Sequence, residues 1–491
     1  MNRQSRIPRL LLLLTAAALL RPVSAECSIV RRGLSRDILL LGTVLTERGA
    51  LHDSSVFIQS GKIAHVGDIC GLGTRGGDAT VLNCPGSVVS PGFIDAHEHI
   101  DYSTVEPFAD IGERVGHRHD WRLGMRNHTM RAVAVNGSVF DATAWGELRH
   151  LFSGTTSIIG GQMVPGLARN LDFTDGLEAG LEPRVVIYDT FPLKDSPGIL
   201  RHGDCDYGPD PIDEATATGY HRYIGHIGEG VDAEAANEFA CLSNGTFDTI
   251  PVLGGWGLST DMVAANVVLV HALGLTPRDF DVVAARGAKV VWSPRSNMSL
   301  YGKTLNVSYL LGAGITVALG TDWLPSGSAT MGREAVCAAS VTDEVFNVTL
   351  SAKVLWEMAT VNAAVVAGFE DQLGSLEVGK LADIVVFGGN SLEDGERDGD
   401  SVDPFGQAIF APQEKIELVL RGGKVLLASS EIRDLASGTC ELVAFGNADK
   451  VVCVADELGS SFKELETSLQ GVYPAVLPEL PPYEPTCEPY S

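Results

Sequence analysis

The chain is short of basic residues, with 36 lysines and arginines against 62 aspartates and glutamates, giving a formal net charge of −26. A surface so acidic repels nucleic acid and anionic lipid, so neither is expected as a partner. No two of the nine cysteines form a CxxC or other close metal-ligand spacing, which argues against a structural zinc site built from them. No internal repeat is present, and no apolar run, the 11 residues from Leu10 to Leu20 included, reaches the roughly 20 that a membrane helix needs. Apolar residues are nevertheless 45% and charged residues 20% of the chain, a composition able to bury a sizeable core.

The N-terminus is expected to lie outside the fold. Arg3, Arg6 and Arg9 precede an apolar run from Leu10 to Leu20, and Val23-Ser24-Ala25 supplies small residues for signal-peptidase cleavage before Glu26. Residues 1–25 therefore read as a secretory signal, whose loss would move the net charge to −30, and the mature chain as secreted with no membrane association. An oxidising compartment turns cysteines into disulfides. Cys205–Cys241, Cys70–Cys84 and Cys440–Cys453 are the expected pairs, with Cys337 free. Glycosylation sequons stand at Asn127, Asn136, Asn244, Asn297, Asn306 and Asn347.

Residues 37–45, 55–59 and 63–67 carry short β patterns, the last two joined by a Ser60-Gly61-Lys62 turn, and the texture returns in 379–387 and 416–427. The two ends are expected to share one small β-sandwich, built from residues 26–90 and 366–430, with 431–491 as a C-terminal extension. Between them, residues 91–365 alternate buried strands with helices. Val267–Val270 is followed by a helix with Thr276 as N-cap, Pro277 in its first turn and Gly287 at its end; Lys289–Trp292 and Ile315–Thr316–Val317–Ala318–Leu319 are the next strands, with a helical segment at 307–312 between them. Repeated strand–helix units of this length make a parallel sheet, and there is room for the eight of a (β/α)8 barrel. Residues 388–404 read as an acidic surface loop and the proline-rich 473–490 as extended chain.

Four segments carry chemistry, each ending an apolar strand. Val89-Ser-Pro-Gly-Phe-Ile-Asp-Ala-His97-Glu-His99 is expected to put two imidazoles on one face, since strand side chains repeat every two residues. Tyr223-Ile-Gly-His226-Ile-Gly-Glu229 adds a third imidazole and a carboxylate able to carry protons. Val270-His271 offers a histidine to orient water, and Leu319-Gly-Thr-Asp322 a carboxylate that burial would oblige to be paired or metal-bound. Each feature alone has an ordinary structural reading; their succession at strand ends does not. His117-Arg118-His119 lacks a preceding apolar strand and reads as a polar loop, and Lys194 as a solvated lysine.

In sum these motifs, with Ser293-Pro-Arg-Ser-Asn297 and Gly379-Lys-Leu-Ala-Asp383, resemble the amidohydrolase superfamily over residues 37–427, in the branch of metal-dependent deaminases, triazine hydrolases and imidazolone hydrolases. The resemblance implies one divalent metal, zinc before iron, on His97, His99, His226 and Asp322, with no organic cofactor. It implies Glu229 as proton shuttle, His271 and Asp322 as helpers on water, and a pocket in which Asn297 and Trp323 meet a small-molecule substrate. The implied reaction is hydrolysis of a non-peptide C–N bond in a small cyclic amidine or amide. A binuclear amide, ester or lactone hydrolase using Lys194, and a secreted barrel scaffold without catalysis, are the alternatives. Loops 100–135 and 192–222 are expected to shape the pocket.

Overall fold

The computed structural model describes residues 27–72, 76–173, 180–250, 255, 258–389 and 403–489. The expected signal segment and most of the acidic loop (390–402) lie outside the described residues.

The eight barrel strands are β1 (Phe93–Asp95), β2 (Thr155–Ile158), β3 (Arg169–Asn170), β4 (Val186–Asp189), β5 (Arg222–Ile227), β6 (Val267–His271), β7 (Lys289–Trp292) and β8 (Val317–Leu319). All pairings among them are parallel, in one ladder from β1 to β3 and another from β4 to β8. The backbone N–H of Ala96 donates to Leu319 O at 3.3 Å and that of Asp322 to His97 O at 2.8 Å, joining the end of β8 to β1. Gly320 and Gly92 permit these close approaches. A Cβ on Gly320 would sit 2.5 Å from the His97 Cβ, and one on Gly92 2.1 Å from the Thr156 hydroxyl.

Strand alternation sorts the apolar residues. Ile94, Ile224, Val268, Val270, Val291 and Ala318 fill the barrel interior, while Phe93, Tyr223, Leu269, Val290, Val317 and Leu319 pack outward under the helices. The helix after β6 spans Pro277–Ala285 with Thr276 and Asp279 forming a capping box, and Gly287 follows in a left-handed conformation.

The two chain ends form one sheet, as their β patterns suggested. Strand Ile384–Phe387 pairs antiparallel with Thr80–Pro91, stitching the C-terminal strands Ile416–Arg421 and Lys424–Ser429 to the N-terminal strands Ile38–Thr46, Gly49–Gln59 and Lys62–Gly67. Among the described residues the sheet has ten strands and runs on past residue 430 through Glu441–Phe445 and Ala448–Val452. Ile38, Leu40, Val56, Leu82, Ile384 and Leu418 form the core on one of its faces. Among the described residues no helix is long and apolar enough to cross a membrane.

Two of the expected disulfides form, Cys205–Cys241 and Cys440–Cys453. Cys84 instead takes Cys27, leaving Cys70 exposed, and Cys337 is not free but joins Cys487. Spacing misled here because the strand Ser28–Arg31 lies beside Thr80–Pro91, and the tail folds back over the helix Met331–Phe346.

Candidate active site

His97, His99, His226, His271, Glu229 and Asp322 converge at the C-terminal ends of the barrel strands. His226 follows Ile224 by two residues in β5 and so faces inward by simple alternation. His271 stands one residue after the inward Val270, so alternation would turn it outward; a left-handed backbone at φ 66° brings its ring back to the site. Asp322 also adopts a left-handed conformation, φ 60°. Such strain in non-glycine residues persists only where the surroundings enforce it. The HxH pair corrects the sequence reading in one respect: β1 stops at Asp95, so a loop rather than strand alternation puts the two rings together. Glu98 between them turns away and shares the Thr321 hydroxyl with Asp95, at 2.6 Å from each carboxylate, and burial raises both acids, Asp95 to about 7.

The donor atoms approach closely. His97 Nε2 lies 3.1 Å from His226 Nε2 and 3.4 Å from Asp322 Oδ1, and His99 Nε2 lies 3.6 Å from the same oxygen. Ligands about 2.1 Å from a tetrahedral ion stand roughly 3.4 Å apart, so each of these three distances is one that a shared cation would set; the donors fall into overlapping groups, His97–His99–His226 and His97–His271–Asp322. The remaining ring nitrogens are committed elsewhere. His97 Nδ1 meets the Ser293 hydroxyl at 2.9 Å, and His226 Nδ1 donates to the Asp189 carbonyl at 3.3 Å, which leaves each Nε2 as a lone-pair donor. Burial, reinforced by the neighbouring histidines, drives the pKa of His97 and His226 well below the ordinary value, and burial also lowers His99. Neutral imidazoles are the form that binds metal. Asp322 accepts from the Ser296 hydroxyl at 2.5 Å and the Trp323 backbone N–H at 2.7 Å.

Glu229 and His271 adjoin the cluster, His271 close enough to His97 and Asp322 to share a ligand group with them. His271 Nε2 is 3.9 Å from both Glu229 Oε2 and Asp322 Oδ2, and its Nδ1 donates to Asn297 Oδ1 at 3.3 Å. Glu229 is 4% exposed; burial would raise its pKa, but His271, Arg118, His226 and the Tyr301 hydroxyl outweigh that and hold it at about 2. Tyr301 donates to Glu229 Oε1 at 2.6 Å and accepts from the Trp121 indole at 3.0 Å.

A cavity of about 310 Å³ opens over this centre, walled by Trp121, Trp323, Phe191 and Tyr102. Trp323 lines it, its indole N–H donating to the Ser326 hydroxyl at 2.5 Å. Asn297 does not: it is fully buried behind His271, outside the cavity wall, so its geometry positions that ring rather than facing substrate.

His117-Arg118-His119 is not a polar loop. It caps and begins the short helix Arg118–Leu123, buried, with Arg118 bonded to Asp195 at 2.7 Å and close to Glu238 at 3.1 Å and Glu229 at 3.7 Å. Arg118, Arg122 and Arg131 reach the cavity, and none was marked by a strand-end signal. Tyr188 at the end of β4 was likewise missed; its hydroxyl lies 3.2 Å from His99 Nε2. Lys194 is half-exposed beside Asp189 at 3.6 Å and does not line the cavity.

Residues 252–426 match the amidohydrolase family. Over 385 residues the chain is 24% identical to a 5-methylthioadenosine/S-adenosylhomocysteine deaminase of Halothermothrix orenii, spanning 73% of this chain and 85% of that one. Over 373 residues it is 26% identical to a 5′-deoxyadenosine deaminase of Methanosarcina acetivorans, spanning 70% and 82%. The fold is similar to that of a zinc-bound adenosine deaminase from Xanthomonas campestris, with a TM-score of 0.58 at 20% identity over 80% of this chain and 93% of that one.

Proposed function

We propose that this chain, an amidohydrolase-type hydrolase of carbon–nitrogen bonds, is a secreted, mononuclear zinc deaminase that removes an exocyclic amine from a small heteroaromatic ring. The observation that carries this reading is the convergence of three neutral imidazoles and one carboxylate at 3.1–3.6 Å, with Glu229 and His271 adjoining them on the cavity lining. The names of the relatives point to 6-aminopurine nucleosides as the first substrates to try. The flat walls offered by Trp121 and Trp323 suit such a ring.

His97, His99, His226 and Asp322 would hold the ion. When bound, a zinc ion lowers the pKa of a coordinated water toward about 7. Glu229, ionised at rest, would act first as base and then as acid, taking a proton from the attacking water on Oε2 and delivering it to the ring nitrogen. His271 would orient that water through Nε2, because Asn297 fixes its other nitrogen. Tyr301 and Arg118 would keep Glu229 from rotating away during the transfer. The adduct's hydroxyl would then give up its proton, by way of Asp322 and His271, to the exocyclic amine, and the C–N bond would break to release ammonia and leave a ring carbonyl.

Secretion is part of the same proposal. It rests on the N-terminal signal pattern, the four disulfides among the described residues, and the exposure of five sequons while Asn297 is buried. N-terminal sequencing of protein from the medium should begin at Glu26.

Elemental analysis together with ammonia release from 6-aminopurine nucleosides tests the enzymatic reading. One zinc per chain, lost in Asp322→Ala along with turnover, is expected. Two ions per chain would favour the binuclear alternative, and a metal-free, inactive protein would leave the scaffold.

A further inference from the structure

Residues 453–489 lie beyond the stretch that matches the amidohydrolase family, which ends at residue 426. They nevertheless pack against the two loops that leave the metal site. The Tyr473 backbone N–H donates to Thr104 O at 3.3 Å, in the loop after His99. Tyr473 and Leu477 form a buried apolar cluster with Leu324 and Ala329, in the loop after Asp322. Side chains of the barrel fix the backbone of this tail: the Trp145 indole donates to Tyr473 O at 2.7 Å and Arg149 to Pro474 O at 2.8 Å. Its tip is fixed three times. Cys487 is bonded to Cys337, Glu484 accepts from Arg333 at 2.5 Å, and Pro485 O accepts from Arg295 at 2.5 Å.

Arg295 is where the tail meets the chemistry. It is 3% exposed, and a buried charge needs partners. Its guanidinium donates to Pro485 O, to the Ser328 hydroxyl at 2.6 Å and to Arg333 O at 3.1 Å, with Glu484 at 3.4 Å as a countercharge. The tail thus supplies an acceptor and a carboxylate. Arg295 stands on the helix Pro294–Tyr301, and three other residues of that helix each hold one group of the site. Ser296 donates to Asp322 at 2.5 Å, Asn297 accepts from His271 at 3.3 Å, and Tyr301 donates to Glu229 at 2.6 Å. Ser328 belongs to the loop whose Ser326 accepts from the Trp323 indole at 2.5 Å. A hydrogen-bonded helix moves as a unit, so a displacement at Arg295 shifts Asp322, His271 and Glu229 together. Fastening the tail needs no more than the disulfide and Tyr473, yet its tip ends on the one basic residue of this helix. We infer that Arg295 is a positioning residue, and that the C-terminal tail, by holding it, sets the geometry of Asp322, His271 and Glu229. This rests on the metal site and the roles proposed for those three groups.

The test uses the whole chain loaded with cobalt(II), whose visible absorption reports the geometry of its ligands, beside the kinetics of ammonia release by the zinc-loaded protein. Glu484→Lys/Cys487→Ser expels the tip, because it cuts the disulfide and sets a like charge against Arg295 and Arg333. Arg295→Gln removes the link from the other side. Each is expected to alter the cobalt spectrum and to lower kcat roughly 10- to 100-fold, with KM moving less, which is the scale of a displacement of about 1 Å at a catalytic group. Both act on one link, so combining them should cost no more than the worse of the two. Melting curves show which variants fold, assays are run well below the lowest Tm, and a single folding variant suffices. Cobalt lost from a variant that still melts cooperatively counts with an altered spectrum, since Asp322 has then moved. A wild-type spectrum with kcat within threefold of wild type overturns the inference whatever the change in Tm, and so do losses of kcat that multiply in the combined variant. An altered spectrum without amine release from any aminoheterocycle would keep this inference and remove the deaminase reading. Ammonia release with kcat and spectrum unmoved would do the reverse, and a wild-type chain that takes up no metal would remove both.

Discussion

Replacing Glu229 with Gln is the sharpest test of the site, because the change is isosteric and its three contacts have different fates. Tyr301 can still donate to Oε1, at 2.6 Å in the native protein. Arg118 loses one of three carboxylates, the most distant at 3.7 Å, and keeps Asp195 at 2.7 Å and Glu238 at 3.1 Å. The fold should therefore lose only about 1 kcal/mol. What disappears is the group that accepts and returns a proton beside His271. General acid–base catalysis of this kind contributes roughly 10²- to 10⁴-fold, so kcat for ammonia release should fall by that factor. Zinc should remain at one per chain, because the four proposed donors are untouched. Yet His226, Glu229 and His271 also lie close enough to form a ligand set of their own. Elemental analysis beside the kinetics separates the two roles. A kcat within threefold of wild type would refute the shuttle, and loss of zinc would make Glu229 a ligand instead.

Two further perturbations concern the frame around the site. Glu334 is buried on the helix Met331–Phe346, and burial raises its pKa to about 8 although Arg295 pulls it down. Between the unfolded value near 4.5 and 8 the folded state binds the extra proton, so stability falls as pH rises through that window, by at most on the order of 5 kcal/mol. Glu334→Gln should flatten the urea-unfolding free energy between pH 5 and 8, and parallel profiles for the two proteins would refute the assignment. Cys487→Ser opens a loop closed across 150 residues, for which the chain-entropy ceiling is about 5 kcal/mol. Because Arg295 and Arg333 still hold Pro485 and Glu484 at 2.5 Å, the melting temperature should drop with zinc retained, and an unchanged Tm would show the disulfide to be dispensable.

The legible parts of the molecule were those whose signals are local. The capping box at Thr276 and the inward placement of His226 follow from residues a few positions apart. The composite sheet was legible because both chain ends repeat the same short β pattern. The orientation of His271 was not, since its strand phase points outward and only a left-handed backbone corrects it. Arg118, Arg122 and Arg131 were missed because they sit on and just beyond a six-residue helix, too short for periodicity to mark a face. Cysteine partners were half right: Cys205–Cys241 and Cys440–Cys453 close short loops, whereas Cys27–Cys84 and Cys337–Cys487 depend on how distant segments pack. Asn297 was recognised by its motif but given the wrong contact, because a motif names a residue without saying which neighbour it touches.

The energetics of the cluster bear on why a non-catalytic scaffold would be a poor owner of it. Three histidine lone pairs and a carboxylate directed at a common point, each 3.1–3.6 Å from a neighbour, are costly to bury without a cation. The surrounding protein offsets only part of that cost, through the Ser296 hydroxyl and Trp323 backbone N–H on Asp322 and the Tyr188 hydroxyl beside His99. Ser293 and the Asp189 carbonyl occupy the far nitrogens and so aim the near ones inward, while left-handed residues at 271 and 322 add local strain toward the same end. A barrel under selection for stability alone would gain by replacing these groups with apolar side chains of similar volume. Conflict between local preference and global fold, concentrated at one end of the barrel and supported from behind, is what a site for a cation and its substrate requires.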